Sequence, residues 1–207
     1  KKLTRNFYNN ITSNIQNVFN QKILFVGFGG IAKKISSVCK LMNMRIYGIK
    51  RSNYSYIKNV KFYSLDNLKK AVKDKNYIVN LLPYTHKTKK LFNKHIFKNM
   101  SKSTFFINVG RGETVDENDL VYALKKKIIL GAALDVVQNE PINNNSLLLK
   151  LDNLILTPHI AGITSDYWDK QYELFTGNLK KFKTSKKLQN IVRSEIGYWL
   201  WIMIILF

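Results

Sequence analysis

Short apolar runs alternate with longer amphipathic stretches along most of this chain. The apolar runs, which predict β-strands, are Ile23–Val26, Arg45–Ile49, Val60–Tyr63, Tyr77–Leu82, Thr104–Val109, Gly131–Val137 and Leu154–Thr157. The amphipathic stretches, which predict helices, are Ile31–Met42, a short one around Leu68–Val72, one that Asp116 caps and that continues to Lys126, and Ser165–Lys183. Regular alternation of strand and helix predicts an α/β fold, a doubly wound parallel sheet with helices on both faces.

The same pattern divides the chain into four parts. Residues 1–20 are polar with spaced apolar positions, which predicts a helix that leads into the sheet. Residues 21–162 hold the alternating pattern and form the predicted domain, and residues 163–198 form a helical C-terminal segment. Residues 199–207 are an apolar tail. The tail is shorter than the roughly 18 apolar residues that span a bilayer, so we expect no membrane contact from it.

The composition is strongly basic, with a formal net charge of +21. Of the 34 basic residues 29 are Lys and only 5 are Arg, and the chain also has 23 Asn. The joint excess of Lys and Asn indicates a bias of the coding sequence towards A-rich codons. Because the lysines are also spread over the whole chain, specific nucleic-acid binding is not expected. A single cysteine, Cys39, excludes a disulfide scaffold and a cysteine-based zinc site, and no metal site is predicted.

A glycine-rich turn follows the first predicted strand, in the segment 27–32. Gly27 allows a tight turn, Gly29 lets the backbone approach a diphosphate, and the small Ala32 lets the next helix pack close to the strand. The N–H groups at the start of that helix would face the phosphates. This is the dinucleotide fingerprint of a Rossmann-type domain, and it predicts cofactor contacts at Gly27, Gly29, Gly30 and Ile31.

The end of the second strand predicts which dinucleotide is bound. An NAD site carries Asp or Glu about 20 residues after the turn, to bind the ribose hydroxyls. Here Lys50, Arg51 and Ser52 occupy that region. Two cations and a hydroxyl match a 2′-phosphate, which predicts NADP(H) over NAD(H). NAD(H) stays open, because Lys50 and Arg51 also fit ordinary exposed positions of a basic chain.

Four further segments of the sequence resemble motifs of a known protein family. They are Ile107–Gly112, Gly131–Pro141, Thr157–Gly162 and Asn80–Pro83. With the glycine turn, their order and spacing resemble the D-isomer-specific 2-hydroxyacid dehydrogenases from about residue 21 to residue 162. The ending, Ile191–Tyr198, and the basic segment after the second strand resemble the glyoxylate/hydroxypyruvate reductase branch most. The phosphoglycerate dehydrogenases are the alternative within the same class.

Three residues of these segments have the chemistry that reduction of a 2-keto acid needs. His159 suits proton transfer near neutral pH, and Glu140 can orient its imidazole. The fork of Arg111 suits a carboxylate. The resemblance implies that these three are the catalytic residues, and that Asp135 binds the nicotinamide carboxamide. The positions that the resemblance implies along the cofactor are Leu82, Pro83, Thr88, Val109, Gly110, Arg111, Asp135, His159 and Gly162.

Each of these residues also has a simpler structural interpretation. Asp135 can cap a strand end, and Glu140 can be an ordinary loop acid. Asp116 is expected to cap its helix rather than to act in chemistry. His86 and His95 are expected at the surface, and Tyr167 and Trp168 are expected to pack on their helix.

The resemblance also implies features outside this sequence. The family has a substrate domain that is built mainly from an N-terminal segment and completed by the C-terminal helix, and that segment is absent here. The first residue is Lys, which predicts a piece of a longer chain. We expect a small 2-keto or 2-hydroxy acid as the substrate, a homodimer, and a cytoplasmic location by default, with organellar targeting left open. A catalytically inactive NAD(P)-binding scaffold or sensor is the alternative function.

Overall fold

A computed structural model describes residues 17–50 and 57–191. Seven strands form its sheet: β1 (Lys22–Val26), β2 (Arg45–Ile49), β3 (Val60–Tyr63), β4 (Tyr77–Asn80), β5 (Phe105–Asn108), β6 (Gly131–Leu134) and β7 (Leu154–Leu156). The α-helices are α1 (Gly30–Leu41), α2 (Leu68–Ala71), α3 (Lys94–Phe97), α4 (Glu117–Lys125) and α5 (Tyr167–Lys183). Single turns of 3-10 helix cover Leu65–Asn67, Gly112–Thr114 and Leu147–Lys150.

All the strands of the sheet are parallel, in the order β3-β2-β1-β4-β5-β6-β7. The predicted doubly wound parallel sheet is therefore confirmed. The strand order reverses between β1 and β4, and ligands of such sheets bind outside the carboxyl ends of the strands at this switch point. A ligand site is therefore expected among the loops that follow β1, β2, β4, β5, β6 and β7.

The core lies on both faces of the sheet. Along β1, Leu24 and Val26 belong to one buried cluster, and Ile23 and Phe25 belong to the other. This alternation follows from the two-residue period of a strand. Helix α1 covers the second face through Ala32 and Cys39, whereas α3 and α4 cover the first. Burial on both faces explains why the central strands are apolar throughout.

Two predicted strands end at least two residues earlier than the apolar runs suggested. Strand β4 ends at Asn80 rather than Leu82, because the Asn80 side chain accepts a hydrogen bond from the Leu82 N–H at 3.2 Å and takes it out of the ladder. Strand β6 ends at Leu134 rather than Val137, and the chain beyond it turns along the carboxyl edge. In both cases the apolar residues past the strand end form loops at the carboxyl edge of the sheet.

Helix α5 begins at Tyr167, just after Asp166, rather than at Ser165, and none of its residues is buried. Its exposed apolar side chains are those of Trp168, Tyr172, Phe175, Leu179 and Phe182. Within the described ranges no helix combines the length and apolarity that crossing a membrane requires. Most of the predicted leading helix, the stretch 192–198 and the apolar tail lie outside the described residues.

Candidate active site

The turn after β1 requires glycine at its first position. Gly27 has φ +99°, which side chains rarely adopt. A Cβ there would also lie 3.0 Å from the Leu81 carbonyl carbon, in the loop after β4. The N–H groups of Gly27 and Phe28 both donate to the Ile49 carbonyl, at 3.2 and 2.9 Å. The turn is therefore held between the ends of β2 and β4, at the switch point.

The first turn of α1 is open to an anion. Gly29 caps the helix with no side-chain hydrogen bond, and no acidic residue stands in the first turn. A Cβ at Gly29 or Gly30 would meet no atom within 4 Å, and Ile31 is 59% exposed. Ala32, in contrast, is fully buried. These residues fit a dinucleotide, because the helix N-terminus can donate N–H groups to a diphosphate at a surface that no side chain covers.

The loop after β2 is described only in part. Lys50 follows β2 directly and is half-buried. Arg51 and Ser52 lie outside the described residues, so the proposed contacts of Lys50, Arg51 and Ser52 with a 2′-phosphate stay predictions. No acidic residue stands among these three positions of the sequence.

The loop after β4 is closed by Thr88. Its side chain is buried, and its hydroxyl donates to the Pro83 carbonyl at 2.7 Å and accepts from the Thr85 N–H at 2.8 Å. Leu82 and Pro83 are half-buried at the carboxyl end of β4. Thr88 thus shapes the wall that Leu82 and Pro83 form, and its predicted contact with the cofactor stays a prediction.

Arg111 lies in the loop after β5 and is exposed to solvent. Its Nη1 donates to the Gly110 carbonyl at 2.6 Å. Gly110 itself is packed against the loop after β4, since a Cβ there would lie 2.6 Å from the Leu82 carbonyl oxygen. The half-buried Val109 is tied to the same region, because its N–H donates to the Asn80 carbonyl at 3.2 Å. The loops after β4 and β5 therefore form one surface.

Beneath Arg111 lie three buried polar residues that sequence reasoning missed. They are Asn80 at the end of β4, Asn108 at the end of β5 and Thr114 in the 3-10 turn, and none is more than 1% exposed. Asn80 Nδ2 donates to Asn108 Oδ1 at 2.9 Å and to Thr114 Oγ1 at 2.7 Å. The signal in the sequence was an asparagine that closes an apolar strand, twice in succession.

Asp135 organises the loop that follows β7. Its carboxylate accepts hydrogen bonds from the Thr157 hydroxyl at 2.6 Å, the Ile160 N–H at 2.9 Å and the Ala161 N–H at 3.0 Å. Burial acts to raise the pKa of Asp135, but these hydrogen bonds and the neighbouring His159 hold it below its ordinary value. The expected contact with the nicotinamide carboxamide stays a prediction. In the structure the Asp135 carboxylate therefore binds the Thr157 side chain before the candidate histidine and two backbone N–H groups after it.

His159 and Glu140 meet across two loops. His159 Nδ1 lies 2.7 Å from Glu140 Oε2, and the other carboxylate oxygen accepts from the Val137 N–H at 3.1 Å. The His159 side chain is 44% exposed and that of Glu140 is 30% exposed. His159 has φ +55°, a strained conformation for a residue with a side chain, and its N–H donates to the Asp135 carbonyl at 2.8 Å.

The loop that carries Arg111 adjoins the loop that carries Glu140. Gly112, the next residue after Arg111, is packed so closely on the Val137 carbonyl that no Cβ fits. Arg111, Glu140 and His159 are thus drawn from three loops that follow β5, β6 and β7 at one edge of the sheet. Gly162 follows in the His159 loop and is exposed.

Five residues outside this site were expected to have structural or surface positions. Asp116 caps α4, since its Oδ1 accepts from the Asp119 N–H at 3.2 Å. His86 and His95 are exposed, as expected. Tyr167 and Trp168 contact each other edge-to-face, and Trp168 is 62% exposed. In the described part of the chain, no group of three or more His, Cys, Asp or Glu residues gathers where it could hold a metal ion.

Comparisons with known proteins agree with this geometry. The model of the family "D-isomer specific 2-hydroxyacid dehydrogenase, NAD binding domain" matches residues 2–161. A glyoxylate reductase of Pyrococcus horikoshii is 35% identical over 182 residues, which cover 86% of this chain and 53% of that protein. The chain therefore spans about half the length of the curated relatives that it matches.

Two solved structures share the fold. A D-isomer specific 2-hydroxyacid dehydrogenase from Xanthobacter autotrophicus, in complex with NADPH and MES, superposes with a TM-score of 0.81 and 26% identity, over 88% of this chain and 75% of that one. A probable 2-hydroxyacid dehydrogenase from Rhizobium etli, in complex with NADP, HEPES and tartaric acid, gives a TM-score of 0.79 and 25% identity, over 88% and 58% of the two chains. With the parallel sheet and the glycine turn, these matches show that the chain belongs to the D-isomer specific 2-hydroxyacid dehydrogenase family, whose NAD-binding domain it carries.

Proposed function

We propose that the protein with this chain reduces a small 2-keto acid of the glyoxylate or hydroxypyruvate type to the 2-hydroxy acid. The observation that carries the proposal is the 2.7 Å contact between His159 Nδ1 and Glu140 Oε2, at the edge of the sheet where the Arg111 loop also lies. A glyoxylate reductase among the relatives supports this substrate class. Because the chain spans about half of such relatives, the activity is proposed for the protein as a whole.

The residues of the chain divide the work by their chemistry. Glu140 engages Nδ1 of His159, which leaves Nε2 to donate a proton to the keto oxygen. The carboxylate also stabilises the imidazolium and fixes the ring. The guanidinium of Arg111 binds the substrate carboxylate through two parallel hydrogen bonds. The bound nicotinamide supplies the hydride.

NADP(H) is the proposed cofactor. The support is the Lys50–Ser52 segment, which offers two cations and a hydroxyl where an NAD site carries an acid. Two related structures hold NADP or NADPH. The strength of a charge-assisted hydrogen bond to phosphate makes Arg51 the side chain that should decide the preference.

Cofactor binding is the first experiment. We expect this chain to bind NADPH more tightly than NADH in fluorescence or calorimetric titrations. Arg51→Asp should weaken NADPH binding and leave NADH binding within about threefold, since a cation pairs only with the 2′-phosphate. Equal affinity for both cofactors, unchanged by Arg51→Asp, would contradict the NADP(H) proposal. A folded chain that binds neither cofactor would contradict the function itself.

Turnover of the full-length protein then tests the substrate class. Glyoxylate, hydroxypyruvate and phosphohydroxypyruvate, assayed with NADPH, separate the glyoxylate/hydroxypyruvate branch from a phosphoglycerate dehydrogenase. NADPH binding without turnover of any keto acid would instead support the inactive scaffold or sensor.

From the family resemblance we also propose a homodimer and a cytoplasmic location. Sedimentation of the purified protein over a range of concentrations tests the first. Imaging of the tagged full-length protein tests the second.

A further inference from the structure

We infer that Asn80, Asn108 and Thr114 form a positioning network that sets the backbone of Arg111 for binding of the substrate carboxylate. The inference rests on the proposed function and extends it to three residues that are buried beneath the exposed Arg111 side chain.

The three side chains of the network are buried, and Asn80 joins the other two by hydrogen bonds. Asn80 and Thr114 are 0% exposed and Asn108 is 1% exposed. The two N–H bonds of the Asn80 amide point to Asn108 Oδ1 and Thr114 Oγ1, at 2.9 and 2.7 Å. Because Asn80 donates to both acceptors, one side chain links the ends of β4 and β5 to the turn that follows Arg111.

The network converges on the carbonyl oxygen of Arg111. Thr114 Oγ1 accepts from Asn80, so its own proton is free to donate, and it does so to the Arg111 carbonyl at 2.6 Å. Asn108 Nδ2 donates to the same carbonyl at 3.2 Å. The peptide unit after Arg111 is therefore fixed by two buried side chains, although the Arg111 side chain itself is exposed.

The same network also holds the backbone of the loop after β4 and of the loop after β5. Asn80 Oδ1 accepts from the Leu82 N–H at 3.2 Å, and Asn108 Oδ1 accepts from the Gly110 N–H at 3.1 Å. Gly110 and Leu82 pack backbone to backbone. Since Arg111 Nη1 donates to the Gly110 carbonyl at 2.6 Å, the direction of the guanidinium depends on how this backbone is held.

The opposite edge of the sheet offers a matched control. Thr104 is also 0% exposed, and its hydroxyl also donates to a backbone carbonyl, that of Lys75, at 2.6 Å. It lies just before β5, at the amino end of the strands. Thr104 and Thr114 therefore share residue type, burial and hydrogen-bond length, and differ in which edge of the sheet they support.

The experiment compares Thr114→Val with Thr104→Val in the full-length protein. Both lose the two hydrogen bonds of a buried threonine hydroxyl, one that it donates to a backbone carbonyl and one that it accepts, so similar losses of melting temperature are expected. Thr114→Val should raise KM for glyoxylate at saturating NADPH by about tenfold or more, because small errors in the placement of a binding group are costly. Thr104→Val should leave KM within about twofold, and the conservative Thr114→Ser, which keeps the hydroxyl, should stay within about threefold of wild type.

A second variant and a second readout separate this inference from the proposed function. Asn80→Asp removes the donors and should raise KM as Thr114→Val does. Amide hydrogen exchange of residues 108–114 should quicken in both variants and stay unchanged in Thr104→Val. An active wild type with equal KM values for Thr104→Val and Thr114→Val would overturn the inference. A wild type without reductase activity would overturn the proposed function. The exchange rates would then decide alone whether the network orders the Arg111 loop, and unchanged exchange in Thr114→Val and Asn80→Asp would show that it does not.

Discussion

The two halves of the sheet's carboxyl edge offer their ligands different kinds of groups. Beside β1, the ligand surface is backbone: Gly27 leaves no room for a side chain, and Gly29 and Gly30 face open space. Beside β5, β6 and β7, the surface is made of side chains, and buried polar groups hold them from below. In the function proposed above, the first half binds a diphosphate because no side chain covers its backbone, and the second half acts through side chains whose positions are fixed.

This difference decides where a substitution should act. On the glycine side, an added methyl group changes access to the backbone, so cofactor affinity should respond first. On the side-chain side, the exposed groups His159 and Glu140 stand on a loop that the buried Asp135 holds. Substitution of an exposed group there should mainly lower kcat, whereas substitution of a buried group should mainly lower the free energy of unfolding.

The largest effect is expected for His159→Gln in the full-length protein. Loss of the proton donor should lower kcat by about 10²- to 10⁴-fold, the usual contribution of general acid–base catalysis. The dissociation constant for NADPH should change by less than about threefold, because the phosphates of the cofactor are proposed to bind on the glycine side. Equal losses in kcat and in NADPH affinity would mean that His159 acts mainly in binding, and the two halves would no longer be distinct.

Gly27→Ala and Gly29→Ala test the glycine side. Alanine at Gly27 must adopt φ near +99° and lies 3.0 Å from the Leu81 carbonyl carbon, so a loss of about 2 kcal/mol in the free energy of unfolding is expected. Alanine at Gly29 meets no atom within 4 Å, so stability should change by less than about 0.5 kcal/mol.

Cofactor affinity distinguishes the two glycine variants. Gly29→Ala should weaken NADPH binding by about tenfold, because its methyl group points into the space that a diphosphate would occupy. Titration by fluorescence and unfolding in urea measure the two quantities. A stable Gly29→Ala variant with unchanged NADPH affinity would show that the diphosphate does not approach the backbone there.

Asp135→Asn tests the buried layer of the side-chain half. The amide can accept fewer of the three hydrogen bonds that the carboxylate receives, so about 2 kcal/mol of unfolding free energy should be lost at pH 7. The folded-state pKa of Asp135 is lowered, so its contribution is full above the unfolded value of about 3.9 and is lost as the pH falls through the folded value. The difference between wild type and variant should therefore shrink below about pH 4.

The exposed Asp152, in the turn before β7, gives the control for that measurement. Asp152→Asn should change the unfolding free energy by less than about 0.5 kcal/mol at neutral pH. Were Asp135→Asn as mild as this control, Asp135 would not hold the His159 loop.

The glycine half was predictable from the sequence because its information is local. The turn, its strand and its helix are consecutive, and α1 differs from the predicted Ile31–Met42 by one residue at each end. The parallel, doubly wound sheet followed from the same kind of information, since strands that alternate regularly with helices predict it.

The side-chain half was predictable only in its exposed layer. Motifs proposed His159 and Glu140, which the structure brings within 2.7 Å. The hydrogen bonds by which Asp135 and Asn80 link separate loops join residues 22 to 34 positions apart, as between Asp135 and Thr157 or Asn80 and Thr114, and such bonds leave no periodic pattern. Two asparagines at the ends of apolar strands gave the only hint, and polar strand ends by themselves are common.

Glu140→Gln should lower kcat far less than His159→Gln does, and it tests whether the side-chain half depends on charge or on geometry. A glutamine oxygen can still accept from His159 Nδ1, so the ring orientation is kept while the stabilising charge is lost. We expect kcat to fall by about tenfold, and the unfolding free energy to change by less than about 1 kcal/mol, because both side chains are partly exposed. Glu140→Ala, which loses the orientation as well, should lower kcat further. If Glu140→Gln and Glu140→Ala were equally impaired, the charge alone would account for the role of Glu140. If Glu140→Gln were fully active, orientation alone would.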